Sequence, residues 1–118
     1  MIIGDYQIDM VLDGHFWLDA GSIFGVVPRT IWEKRVHVDE RHRMRLAVRC
    51  LLVRDGKRTI LIDSGQGNKQ NEKFRDRYTV EQPFTLLDNL AKLGVKPTDI
   101  TDVVNCHLHF DHAGWNTI

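Results

Sequence analysis

His107, His109, Asp111 and His112 fall within six consecutive positions of the stretch CHLHFDHAGWN, residues 106–116. Neutral imidazoles with one carboxylate make a ligand set for a divalent cation; Zn²⁺ suits it, and so do Fe²⁺, Mn²⁺ and Co²⁺. His107 and His109 are two apart, so in an extended segment both rings point to one side and reach one ion at about 2.0–2.1 Å. Asp111 and His112 are adjacent and come just after the preceding apolar strand should end. A turning backbone there directs them toward a second ion beside the first. Histidines also crowd loops by accident, and His15, His37 and His42 take that plain reading. Three His and one Asp at this spacing, behind an apolar strand, read instead as a metal site.

The elements that must position this cluster come before it in the chain. YQIDMVL (6–12) reads as a first strand, and DGHFWLDAGSIFGVVP (13–28) as short strand pieces and a packed crossing broken by Gly14, Gly21, Gly25 and Pro28. RTIWEKRVHVDER (29–41) is polar, with Trp32 as an anchor into the core. MRLAVRCLLV and RTILID flank RDGK and form a hairpin, with Asp55-Gly56 suited to a type I′ turn. Asp63-Ser64-Gly65 closes its second strand, and GQGNKQNEKFRDRYTVEQ (65–82) reads as a polar loop with one short helical turn. PFTLLDNLAKLG (83–94) reads as a helix with Pro83 in the first turn and Gly94 past its end, burying Phe84, Leu87, Leu90 and Ala91. Pro97 blocks its continuation, and Thr98 suits the cap of a short turn before the strand DVVNCH.

Apolar residues are 42% of the 118, enough for a folded domain rather than a disordered chain. Formal net charge is zero, so no global field draws the chain to nucleic acid or an anionic membrane. The charge is uneven: residues 29–58 hold ten Lys/Arg against four Asp/Glu. Arg41, Arg43, Arg45 and Arg49 alternate with Leu46, Val48, Cys50 and Leu52, which reads as the solvated side of a strand rather than a nucleic-acid patch. Cys50 and Cys106 lack metal-knuckle spacing and read as buried reduced thiols. The N-terminus has no basic region, and Asp5, Asp9 and Asp13 interrupt its apolar residues, so it reads as neither a signal peptide nor a membrane span. A cytoplasmic protein is the expectation.

HLHFDH matches the HxHxDH signature of the metallo-β-lactamase-fold hydrolase superfamily, which the chain resembles over nearly its whole length. TILIDSG (59–65) resembles that family's strand ending in Asp-x-Gly. LGVKPTDITDVVNCHLHFDHAG (93–114) resembles its approach to the metal loop. DAGSIFGVVPRTIW (19–32) looks like the N-terminal region of the branch that includes quorum-quenching lactonases. The resemblance implies an α+β fold, the N-terminal half of a four-layer αββα sandwich with a mainly antiparallel sheet and a helix packed on it. It implies that His107 and His109 bind the first metal, Asp111 and His112 the second, and that Asp63 lies near the site outside the ligand set. Two zinc ions, or manganese or iron, would hold a bridging hydroxide that Asp111 orients and from which it takes part in proton transfer. Two residues bear on this. Trp115 stands where many members carry a second glycine, a change expected to reshape the site mouth. His109 stands where diiron oxygen-reducing relatives carry Glu, so the chain looks hydrolytic.

The family also supplies a third His, a bridging Asp and a last His from a C-terminal half that residues 1–118 do not include. The expectations are therefore a metal-dependent hydrolase of small lactones or esters as a full-length protein, and weak or no metal binding and no turnover by this chain alone. Thioester, β-lactam and phosphodiester substrates remain open, since one fold hosts many chemistries. A sheet face and an edge left without partners predict a homo-oligomer, in the form of a twofold dimer. The alternatives are a nucleic-acid processing or binding protein of the same fold and a non-catalytic assembly module.

Overall fold

The computed structural model describes residues 1–81 and 83–117; Gln82, the last residue of the polar stretch, and Ile118 lie outside them. Five strands form one sheet in the order of the chain: β1 (Ile2–Ile3), β2 (Tyr6–Asp19), β3 (Arg43–Arg54), β4 (Thr59–Ile62) and β5 (Asp102–Val104). Neighbours are antiparallel except β4 and β5, which run parallel. A parallel pair needs a crossover, and residues 63–101 provide it with α3 (Glu72–Tyr78), α4 (Leu86–Lys92) and a 3₁₀ turn (Pro97–Asp99). Two short helices, α1 (Ala20–Phe24) and α2 (Arg29–Trp32), join β2 to β3, with Trp32 buried and stacked on Phe24 at a centroid distance of 4.9 Å.

The strand read over residues 6–12, β2, does not end at Leu12. It runs to Asp19 through a bulge between Leu12 and Gly14, which leaves Asp13 without a partner on β3. The extra residue shifts the inward set from Val11 and Asp13 to Phe16 and Leu18, so period-2 alternation fails across it. β3 and β4 form the expected hairpin, but of its two expected turn residues only Gly56 has positive φ, at 83°. Instead of a type I′ turn, the Asp55 carboxylate accepts the Lys57 and Arg58 N–H groups at 2.9 and 2.7 Å. α3 is a full helix with Asn71 as its cap. α4 starts at Leu86, after Pro83, and this rotates its inward face to Leu86 and Leu90, leaving Ala91 exposed. Lys96, not Thr98, precedes the 3₁₀ turn, its N–H held by Asp99 Oδ2 at 2.8 Å.

Val11, Cys50, Leu52 and Leu61 of the sheet meet Leu86, Leu90 and Val95 in one core cluster. Phe16, Val48 and Val80 form a second with Phe74, Tyr78 and Phe110 around them. The alternation on β3 holds: Val48, Cys50 and Leu52 are buried, Arg45 and Arg49 exposed. Arg41 precedes the strand. Arg43 and Arg45 pair with Asp39 and Glu81, which supports a solvated, ion-paired face; the end residue Arg54 pairs with Asp9 on the other side. Toward the β4 hairpin the face that carries Arg45 and Arg49 turns apolar and lies open. Met10, Leu51, Ile62 and Val104 form one cross-strand row on it, and Met10 is 66% exposed.

Candidate metal centre

β4 and β5 are parallel, so Asp63 and Asn105 leave the sheet at the same end, where open sheets carrying crossovers place their ligand-binding loops. Asp63 takes a left-handed backbone (φ 58°), a conformation that Asp tolerates better than most residues. The Asp63 N–H donates to the Val104 carbonyl at 2.8 Å, and its buried carboxylate turns to the loop. Oδ1 accepts the Cys106 N–H at 2.8 Å and Oδ2 lies 2.7 Å from His112 Nδ1. Burial alone would raise the Asp63 carboxyl; the Cys106 N–H and the His112 imidazole outweigh it and hold it below its ordinary value. An ionised Asp63 accepts from Nδ1–H, and the Nε2 lone pair is left for a cation.

The loop from 105 to 116 is stitched to the end of β4. The His112 carbonyl accepts the Ser64 N–H and the Asn105 amide, both at 2.7 Å. Gly114 N–H donates to the Gly65 carbonyl at 2.8 Å, and Trp115 N–H to the Ser64 carbonyl at 3.1 Å. The His109 carbonyl accepts from His112 and Ala113, which closes a turn. Between the ligands, Phe110 plugs into the aromatic cluster, 4.8 Å from Phe74 and 5.3 Å from Phe16, while Leu108 stays exposed.

These contacts gather the three histidines of the motif. The His107 ring lies 3.9 Å from that of His112 and 4.5 Å from that of His109. His112 Nε2 and Asp111 Oδ2 are 3.5 Å apart. β5 ends at Val104, so His107 and His109 meet through the loop's turn and not through strand alternation. Among the described residues, the one trio of ligand-type side chains whose donor atoms all lie within 4.8 Å is Asp63, Cys106 and His112. That trio is a hydrogen-bond network: Asp63 already receives two N–H groups, and its bond to the Cys106 thiol is the first cause that raises that thiol. The four motif residues fit the donor chemistry of a divalent pair taken two by two, an imidazole pair beside a carboxylate–imidazole pair. A cleft of about 310 Å³ opens beside His109, lined by Gln66, Gln70, Leu108, Phe110 and Gly114 among others.

Two further expectations change. Cys106 is exposed, while Cys50 is buried and its thiol is pushed up to about 12 by burial first and by nearby Asp13 and Asp63. Trp115 does not face the site mouth: it is half-buried against the Leu61–Leu86–Leu90 cluster, and its indole N–H donates to Asp13 Oδ1 at 3.2 Å. Asp13, Ser64, Asn105 and Phe110 escape the sequence reading, because each acts on the loop through contacts made only when the chain folds. Asp13-Gly14 inside an otherwise strand-like run is the one local signal of a bulge.

Three comparisons bear on this site. The family model of the metallo-beta-lactamase superfamily matches residues 43–117, from β3 through the histidine loop. A probable metal-dependent hydrolase from Staphylococcus aureus superposes with a TM-score of 0.90 at 34% identity, over 96% of this chain and 41% of that one. AidC, a dizinc quorum-quenching lactonase, superposes with a TM-score of 0.68 at 26% identity, over 97% of this chain and 37% of its own. An N-acyl homoserine lactonase of Bacillus cereus is 29% identical over 85 residues, 62% of this chain; the match spans 33% of the lactonase's own length.

Proposed function

The chain belongs to the metallo-beta-lactamase superfamily, and on that premise we propose that it is the metal-holding N-terminal half of a hydrolase acting on small lactones or esters. The observation that carries this reading is the grouping of the His107, His109 and His112 rings, with Asp111 beside His112 and Asp63 bracing His112 from behind. His107 and His109 hold one divalent ion, and Asp111 and His112 hold the other. Zinc is the first choice, with manganese or iron as alternatives. When bound, the ions supply Lewis acidity toward the scissile carbonyl and lower the pKa of water. Asp63 fixes the His112 tautomer by accepting its Nδ1–H. The Asp111 carboxylate, besides serving as a ligand, accepts a hydrogen bond from the attacking water and orients it. The cleft beside His109 receives the substrate, with Leu108 and Phe110 as its apolar walls.

Catalytic zinc ordinarily takes three protein ligands, and this loop provides two for each ion. The remaining ligands belong to further polypeptide, in keeping with a chain that spans about a third of the curated lactonase. Residues 1–118 alone therefore bind metal weakly and do not turn over substrate. In the isolated chain a second copy covers the open sheet face, giving a twofold dimer. Two free thiols suit the reducing cytoplasm. Among the described residues no helix is long and apolar enough to cross a membrane.

The test joins residues 1–118 to a second half of the length its relatives have and assays lactone opening with added Zn²⁺ or Mn²⁺. Opening is expected, and His107→Ala with His109→Ala should abolish it. Opening that survives the double substitution would end the metal-hydrolase reading.

A further inference from the structure

Asp13 sits where β2 bulges, and its side chain is fully buried at 0% exposure. A carboxylate in such a place is strongly disfavoured unless donors surround it. Here the donors come from three separate segments. Oδ2 accepts the Gln66 N–H at 2.7 Å, and Oδ1 accepts the Leu86 N–H at 3.1 Å and the Trp115 indole N–H at 3.2 Å. Gln66 follows β4, Leu86 opens α4, and Trp115 belongs to the histidine loop. The Asp13 carbonyl adds a tie of its own by accepting the Thr85 N–H at 2.7 Å.

The packing leaves no slack at this junction. A Cβ on Gly65 would stand 2.4 Å from Asp13 Oδ2, and one on Gly114 would stand 2.0 Å from the Gln66 carbonyl carbon. The histidine loop is thus pressed against 64–67 on one side and held by its indole to Asp13 beneath. We infer that Asp13 is a positioning residue for the metal loop: through Trp115 and Gln66 it sets where Asp111 and His112 stand. The inference rests on the metal-centre reading for its purpose, but its geometry does not depend on that reading. It also explains why a carboxylate is needed. An apolar side chain would leave three N–H groups without acceptors. An amide has one oxygen and can serve either Gln66 or the Leu86–Trp115 pair, not both.

The experiment compares the unsubstituted chain with Asp13→Asn and Trp115→Phe. NMR follows the His112 ring N–H, the His107 and His109 ring carbons and the Trp115 indole N–H, and a second arm measures Co²⁺ affinity. Asp13→Asn is expected to speed solvent exchange of the indole N–H about tenfold or more. It should also move the His112 ring signal and weaken Co²⁺ binding by about tenfold. Trp115→Phe keeps the Gln66 and Leu86 bonds and removes only the indole donor; it should move the same His112 signal by less. If Asp13→Asn does not fold, Trp115→Phe decides. A folded variant of either kind whose histidine signals match the unsubstituted chain overturns the inference and leaves Asp13 a merely structural residue. No Co²⁺ binding by the unsubstituted chain counts against the metal reading, and the ring signals still decide the role of Asp13.

Discussion

One face of the sheet is closed by α4 and Val95, which bury Val11, Cys50, Leu52 and Leu61. The opposite face of the same strands, which carries Arg45 and Arg49 farther along β3, leaves Met10, Leu51 and Val104 at 66%, 40% and 51% exposure. Where β3 pairs with β4 the contrast lies in the covering, not in the strands. A sheet with one dry and one wet side alternates apolar and polar residues. Here both sides of the β3–β4 pairing are apolar: Leu51, Val53, Ile60 and Ile62 on one, Cys50, Leu52 and Leu61 on the other. Strands with two apolar faces belong to an architecture that covers both, as the four-layer sandwich of this superfamily does. The closed face carries the stability of the isolated chain, and the open face is where the proposed second copy would dock.

The two cysteines give the sharpest contrast. Cys50 lies under the helix with its thiol pushed up to about 12, and Cys106 is exposed at the loop. A thiol reagent should label Cys106 first, with Cys50 slower by a factor on the order of a thousand, since its reaction waits for opening of the core. Equal rates by mass spectrometry would mean that the closed face is not closed. Next in size are paired truncations. Leu90→Ala should cost about 2–5 kcal/mol in urea unfolding, and Leu51→Ala less than about 1 kcal/mol in the monomer. Comparable losses would erase the distinction between the faces.

Association sharpens it further. Leu51→Asp places a charge in the Met10–Leu51–Ile62–Val104 row and should turn the expected dimer into a monomer at micromolar concentration, read by sedimentation. A dimer that persists would place its interface elsewhere. The smallest effect is electrostatic. Glu81, hydrogen-bonded by Arg45 and Trp17, is held down to about 2 from 4.5. A depressed carboxyl contributes stability that is present above about 4.5 and lost as pH falls toward about 2. Glu81→Gln should flatten that part of the stability curve by less than about 1 kcal/mol, because the pair is partly exposed. An unchanged acid limb would show that the Arg45–Glu81 pair contributes nothing across the sheet edge.

What could be read in advance divides along local and non-local lines. The hairpin and the arginine alternation of β3 are local patterns of period two, and both hold. The histidine quartet is legible for the same reason: its spacing is written in six residues. The length of β2 is not, because the bulge at Asp13 reverses which residues face inward. The face of α4 differs through its start: Pro83 suggests the first turn, but the helix begins at Leu86, where Asp13 accepts its backbone N–H. Asp13 itself, one of three acids that interrupt the N-terminal apolar run, serves partners 53 to 102 residues away. Nothing in a single sequence ties such distances together.

The central claim is that His107, His109 and His112, with Asp111, share a divalent-metal site. Titrating Zn²⁺ into the chain while following all six histidine rings by NMR tests it most directly, since even weak binding registers there. The account predicts that the signals of His107, His109 and His112 move first and together, while those of His15, His37 and His42 stay in place. A response spread evenly over all six rings, or none from the three in the loop at millimolar Zn²⁺, would contradict it.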